Sequence, residues 1–287
     1  MDFKKYNELY ELKEFIVNNK IFKYRYFKNE SAKQTVVLLV GGIGLSDLVY
    51  NHFTKFTKEF SVITFDYSIN FKTNNELCFA INELLISLNE KVWFIGQSLG
   101  GFISLIMATN YPDVTKGLIL SNTGCLSENL SSDALKSLTD MMDRTKKSKK
   151  LIKILPMNLF KKLIRKKITK KHAKEFNEEQ KEILNDMFDI MDDQLQRNYQ
   201  LHMSDLLIDL ENHLNNKKES YKYLDDKAFL ILSEDDKTFT QEVKDELYNL
   251  MYNPTLKTDL LGGHIALLIK CDEYVSIITE YIKRRID

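Results

Sequence analysis

The chain has 287 residues, 44% of them hydrophobic and 29% charged, with 41 Lys and Arg against 41 Asp and Glu. That length fits one large α/β domain with an insertion, or two small domains, and the zero charge balance removes any global electrostatic reason to expect nucleic acid as a partner. No apolar run approaches a membrane helix, the N-terminus lacks the apolar core of a secretory signal, and Cys78, Cys125 and Cys271 are too few and too scattered for a metal pattern or a disulfide framework, which fits a reducing cytoplasm.

Residues 1–13 read as a polar helical lead-in. Phe15 to Val17, Asn18-Asn19 and Lys20 to Phe27 read as a hairpin, because Asn tolerates the positive φ of a tight turn. Charges alternate with larger apolar groups from Ile21 to Tyr26, which predicts a strand wet on one face. Thr35 to Val40 is apolar almost throughout and predicts a strand buried on both faces, as in a parallel sheet. It runs into Gly41-Gly42-Ile43-Gly44, and a helical pattern follows from about Ser46 to Lys58. Ser61 to Phe65 is a strand, Asn74 to Leu88 an amphipathic helix, Val92 to Ile95 a strand, Phe102 to Tyr111 a helix and Thr115 to Leu120 a strand. From about Leu126 to Leu224 the alternation stops and the pattern is helical and strongly charged. It resumes with a strand at Ala228 to Leu232, a helix at Gln241 to Met251, a strand at Thr255 to Leu261 and a helix from about His264 to Arg285. This order predicts an α/β fold with a doubly wound, mostly parallel sheet of about eight strands. The core would be residues 1–125 and 226–287, with a helical cap inserted over 126–225.

The most informative stretch is Gly96-Gln97-Ser98-Leu99-Gly100. A chain that turns abruptly from a buried strand into a buried helix has little room for side chains, so Gly96 and Gly100 relieve the crowding while Ser98 takes a strained, exposed position. The pattern and its setting resemble the nucleophile elbow of the α/β-hydrolase family. The resemblance covers about residues 12–125 and 226–285 and leaves the cap unmatched. It implies a catalytic triad in the chain order Ser, acid, His. Ser98 is then the nucleophile. His264, in the Gly262-Gly263-His264 loop, is the base. The family's spacing over Ser233-Glu234-Asp235-Asp236 selects Asp236 as the acid, with Asp235 as the alternative.

The resemblance also implies an oxyanion hole from the Leu99 amide and an amide of the Gly41–Gly44 loop, with Gly42 as the first choice and Ile43 as the second. Two departures stand out. Val40 occupies a position where relatives often carry His, which removes a bond that steadies this loop. Ser68-Ile69-Asn70-Phe71 replaces the glycine-rich turn that commonly follows the Asp of the preceding strand. No metal or organic cofactor is implied, and the glycines carry neither a phosphate-loop nor a dinucleotide fingerprint.

The expected activity is a serine hydrolase acting on a small-molecule acyl substrate through an ester-type bond. Thioesterase, amidase or peptidase and C–C hydrolase chemistry use the same triad, and a non-catalytic ligand-binding protein is the alternative class. Between Arg144 and Lys171 lie 13 Lys and Arg and no acidic residue. The following stretch, Glu175 to Asp193, is mainly acidic. A solvated cap with offsetting charges is the preferred reading, its interleaved apolar residues lining a pocket over Ser98. Peripheral contact with anionic lipid through the basic cap is the other. Oligomeric state is not legible.

Overall fold

The computed structural model describes residues 2–172 and 176–285. Among these residues eight strands form one sheet. In chain order they are β1 (Leu12–Val17), β2 (Lys20–Phe27), β3 (Thr35–Leu39), β4 (Ser61–Phe65), β5 (Val92–Gln97), β6 (Thr115–Ser121), β7 (Ala228–Ile231) and β8 (Thr255–Lys257), and across the sheet the order is β1-β2-β4-β3-β5-β6-β7-β8. The β1–β2 and β2–β4 pairs are antiparallel and the rest are parallel. Every residue of β3, β4, β5 and β7 is buried, as their continuous apolar runs require.

The helices of the sheet region are α1 (Phe3–Leu9), α2 (Tyr50–Phe56), α3 (Asn74–Ser87), α4 (Leu99–Asn110), α9 (Gln241–Leu250), α10 (Ala266–Ile269) and α11 (Cys271–Lys283). Between β6 and β7 stand α5 (Ser132–Ile154), α6 (Met157–His172), α7 (Glu178–Gln194) and α8 (Arg197–Asp209). Pro156 separates α5 from α6, where its ring cannot continue the first helix. Among the described residues no helix is long and apolar enough to cross a membrane. The chain leaves β3 for β4 on one side and returns to β5 on the other. The order therefore reverses at the carboxyl ends of β3 and β5, where such sheets hold ligands. The Gly41–Gly44 loop and Ser98 both lie there.

Several boundaries differ from the sequence reading. The lead-in helix is short, because residues from Leu12 onward pair with β2. The strand β2 is not simply wet on one face. Arg25 is buried because α1 covers it, its guanidinium donating to Tyr10 O and Asn7 Oδ1, lying over the Tyr6 ring and 3.4 Å from Asp47. Ser46–Val49 is a 3-10 turn, not α-helix. Its first residue is held by Asp66, whose carboxylate accepts from both the amide and the hydroxyl of Ser46 at 2.7 Å.

Helix α4 starts at Leu99 rather than Phe102: close packing overrides the low helix propensity of Gly100 and Gly101. The last strand stops at Lys257 and not Leu261, because its one partner, β7, ends at Ile231, opposite Lys257. The expected C-terminal helix is broken. A 3-10 turn at Gly263–Ile265 leads into α10, and Lys270 (φ −111°, ψ 46°) interrupts the chain before α11. The run Ala266 to Ile269 is apolar all round and entirely buried, so it follows the core, and one-sided helical spacing begins only with Tyr274, Ile278, Tyr281 and Ile282.

His52 on α2 ties that C-terminal segment down, its Nε2 lying 2.9 Å from the carbonyl of Leu267. It is fully buried, and burial pushes its pKa down to about 4 from the usual 6.5, with the Leu267 carbonyl offsetting part of the drop. In the unfolded chain His52 takes its proton near pH 6.5, whereas in the folded chain it does so only near 4. Its contribution is therefore intact above pH 6.5 and is lost progressively as the pH falls towards 4, by about 3 kcal/mol. Urea titrations across this range should show that loss, and His52→Gln should flatten the slope. An unchanged slope in the variant would rule out His52 as the source.

Candidate active site

Ser98 sits between β5 and α4 with φ 53° and ψ −116°, a region that a non-glycine residue occupies only when its surroundings enforce it. Its neighbours do so. A Cβ on Gly96 would fall 2.3 Å from the carbonyl oxygen of Gly100, and one on Gly100 would fall 2.1 Å from that of Leu39. The carbonyl of Ser98 accepts from the amides of Gly101 and Phe102 and from Thr123 Oγ1 at 2.7 Å. The side chain is half-buried, not exposed.

The structure brings Ser98, His264 and Asp236 together. Ser98 Oγ lies 2.9 Å from His264 Nε2, and His264 Nδ1 lies 2.9 Å from Asp236 Oδ2. Asp236 is buried. Burial raises its pKa, but the hydrogen bond and charge of His264, together with Thr238, lower it more, so the carboxyl ends below the usual carboxylate value. An ionised Asp236 accepts the Nδ1 proton, which leaves the Nε2 lone pair facing the serine hydroxyl. Asp235 does a different job. Its Oδ2 accepts from the amides of Gly262 and Gly263 at 2.9 and 2.8 Å. It fixes the loop that carries His264, where Gly262 and Gly263 adopt φ of 144° and 59°.

Several positioning residues escaped the sequence reading. Asn122, at the end of β6 with φ 42°, donates to Gly263 O and Ser233 Oγ and accepts from the Ser233 amide, joining the acid loop to the histidine loop. Its place at a strand end in line with Ser98 was the one available signal. Gln97 donates to His264 O at 2.9 Å. Buried Lys244 on α9 reaches the carbonyls of Ser233 and Asp236 at 2.9 and 3.0 Å.

The Gly41–Gly44 loop lies against the elbow: a Cβ on Gly41 would meet Gln97 Oε1 at 2.3 Å and Ser98 Cβ at 3.4 Å. Among the described residues neither the Gly42 amide nor the Leu99 amide is taken up by a backbone carbonyl. The missing histidine at Val40 is made good by two tyrosines. Tyr67 donates to Val40 O and Tyr199, from α8, to Gly44 O, each at 2.6 Å. Burial holds both phenols far above their usual pKa, so both remain donors. Tyr67 lies just after β4, immediately before the turn at residues 68–71.

A cavity of about 100 Å³ opens on Ser98 and His264 between this loop and the inserted helices, lined also by Leu48, Ile265, Leu268, Ile168 and Met187. Of the inserted helices, Ile168 of α6 and Met187 of α7 face it. None of the apolar residues expected to do so, Leu151 to Ile164, lines it: Leu151, Ile154, Leu159 and Leu163 face outward and are exposed, whereas Ile152 is buried and Met157, Phe160 and Ile164 pack against the core instead.

A family model described as alpha/beta hydrolase fold matches residues 78–270. No curated protein matches the chain. Among solved structures, MenH from S. aureus is 22% identical with a TM-score of 0.70, the match covering 91% of this chain and 98% of that one. A meta-cleavage product hydrolase from Pseudomonas fluorescens IP01 is 14% identical with a TM-score of 0.69, covering 96% and 98%. A thermophilic esterase from Thermogutta terrifontis is 13% identical with a TM-score of 0.70, also covering 96% and 98%. At these identities the likeness is one of fold.

Proposed function

The chain belongs to the α/β-hydrolase family, and on that footing we propose that it is a serine hydrolase cleaving a carboxylic ester-type bond through an acyl-enzyme on Ser98. The observation that carries this reading is the unbroken relay from Ser98 Oγ through His264 to Asp236. His264 Nε2 takes the hydroxyl proton as Oγ attacks the carbonyl carbon, and ionised Asp236 steadies the imidazolium. The amides of Leu99 and Gly42, at the amino end of α4 and in the facing loop, receive the charge that develops on the carbonyl oxygen. The intermediate collapses as His264 returns the proton to the leaving oxygen. A water activated by the same imidazole then attacks the acyl carbon and frees Ser98.

The helices over residues 126–225 act as a cap that shapes the acyl site. A cavity of about 100 Å³ beside Ser98 is small for a ligand site and suits a compact acyl group. Its lining, with Ile168, Met187, Leu268 and Ile265 around one serine, suits an apolar one.

A fluorophosphonate probe tests the reading directly. The folded protein should take the label on Ser98, identified by mass spectrometry, and Ser98→Ala should take none. A folded wild type that stays unlabelled would favour a binding protein. A panel of esters and thioesters of graded length, assayed beside it, would sort the leaving group and should favour the shortest acyl chains.

A further inference from the structure

The cationic residues of the inserted helices divide into two sets. Those facing the neighbouring helices are matched: Lys146 pairs with Glu211 and Asp143, Lys149 with Asp205, and Arg165 with Asp192, while Lys161 donates to the carbonyl of Asp192. The acidic helix α7 and the carboxylates on and just after α8 therefore account for the inward charges. The outward set is different. Lys147, Lys150, Lys153, Lys162 and Lys166 are exposed, and among the described residues none has an acidic partner. Glu175 lies outside the described residues, as do the side chains of Lys167, Lys170 and Lys171.

Among these lysines stand exposed aliphatic side chains. Leu151, Ile154, Leu159 and Leu163 are 47, 78, 45 and 46% exposed. Leu151 and Ile154 are one turn apart at the end of α5, and Leu159 and Leu163 one turn apart at the start of α6, so the four flank the corner at Pro156. The corner is tied to the rest of the fold. Arg197 at the start of α8 donates to the carbonyls of Ile152, Lys153 and Leu155 at 2.7, 2.5 and 2.9 Å. Exposed aliphatic side chains also stand singly elsewhere, such as Leu9, Ile16 and Ile86, but here four gather between Leu151 and Leu163 among unmatched lysines, which a merely solvated face does not account for.

We propose that this corner docks the protein on an anionic phospholipid surface. The leucines and the isoleucine enter the boundary of the acyl chains, and the unmatched lysines meet the headgroups. Charge complementarity selects an anionic surface. Aliphatic rather than aromatic side chains suit acyl chains and offer no platform for stacked bases.

Flotation of the whole protein with vesicles tests this without reference to turnover. Vesicles containing phosphatidylglycerol should retain roughly tenfold or more protein than vesicles of phosphatidylcholine alone, and added salt should release it. A variant carrying Leu151→Ser, Ile154→Ser, Leu159→Ser and Leu163→Ser keeps every charge and should lose about tenfold in retention. A second variant with Lys147, Lys150, Lys153, Lys162 and Lys166 changed to Gln should lose the preference for anionic lipid. All these sites are exposed, and an unchanged melting curve shows that the variants fold. The proposal is overturned if wild type ignores both kinds of vesicle, or if the serine variant binds as well as wild type. Retention on an immobilised acidic polypeptide without retention on vesicles would assign the corner to an acidic protein, and the membrane proposal would fail.

Discussion

Ser98→Ala is expected to lower kcat on a short-chain ester by about a millionfold, the scale seen when the nucleophile of such a relay is removed. Melting should be nearly unchanged, because alanine meets the backbone strain at this position no worse than serine and the lost hydroxyl contacts His264 alone among side chains. The two neighbouring carboxylates give the sharper comparison. Asp236→Asn should cost about ten-thousandfold in kcat. Its amide cannot steady the imidazolium, and an amide N–H offered to Nδ1 would turn the other tautomer towards Ser98. Asp235→Asn keeps one oxygen to accept from Gly262 and Gly263, so its loss should be about tenfold or less. Steady-state kinetics on the three variants would show the ranking. Equal losses at Asp235 and Asp236 would mean that the acid's role is not the one the geometry supports.

The largest effect on stability is expected from Gly100→Ala. The new methyl would sit 2.1 Å from the carbonyl oxygen of Leu39, 2.5 Å from its carbon and 2.8 Å from the oxygen of Val40. These are backbone atoms at the end of a central strand, with no rotamer to change, so either α4 or the loop after β3 must shift. A loss of about 3 kcal/mol or more is expected, seen as a fall in Tm of several degrees or as failure to fold. Gly42→Ala is the control. Its methyl would meet only the tip of the Leu207 side chain at 3.3 Å, so stability should hold within about half a kcal/mol. If the two variants melted alike, the close approach of α4 to β3 would be wrong.

Much of the core was legible because its signals are local. Buried parallel strands announce themselves as continuous apolar runs, and the turn at Ser98 announces itself by the glycines that make it sterically possible. Strand ends were less legible where a partner decided them. Lys257 ends β8 because β7 goes no farther, a fact held by Ile231, which lies far back in the chain. The choice between Asp235 and Asp236 was of the same kind. Adjacent residues of equal chemistry point in different directions, and only the path of the chain from Ser233 to Thr238 sends one carboxylate to His264 and the other to the Gly262 and Gly263 amides.

What the sequence determined by itself was the alternation of strands and helices and the tight turn at Ser98, because both follow from residue type and short-range period. Tertiary structure alone decided which helix faces turn outward, how Tyr67 and Tyr199 replace the bond lost at Val40, and where Asn122 joins two loops. Those outcomes depend on contacts between residues distant in the chain, and hydrophobic periodicity carries no information about which distant partner a side chain will meet.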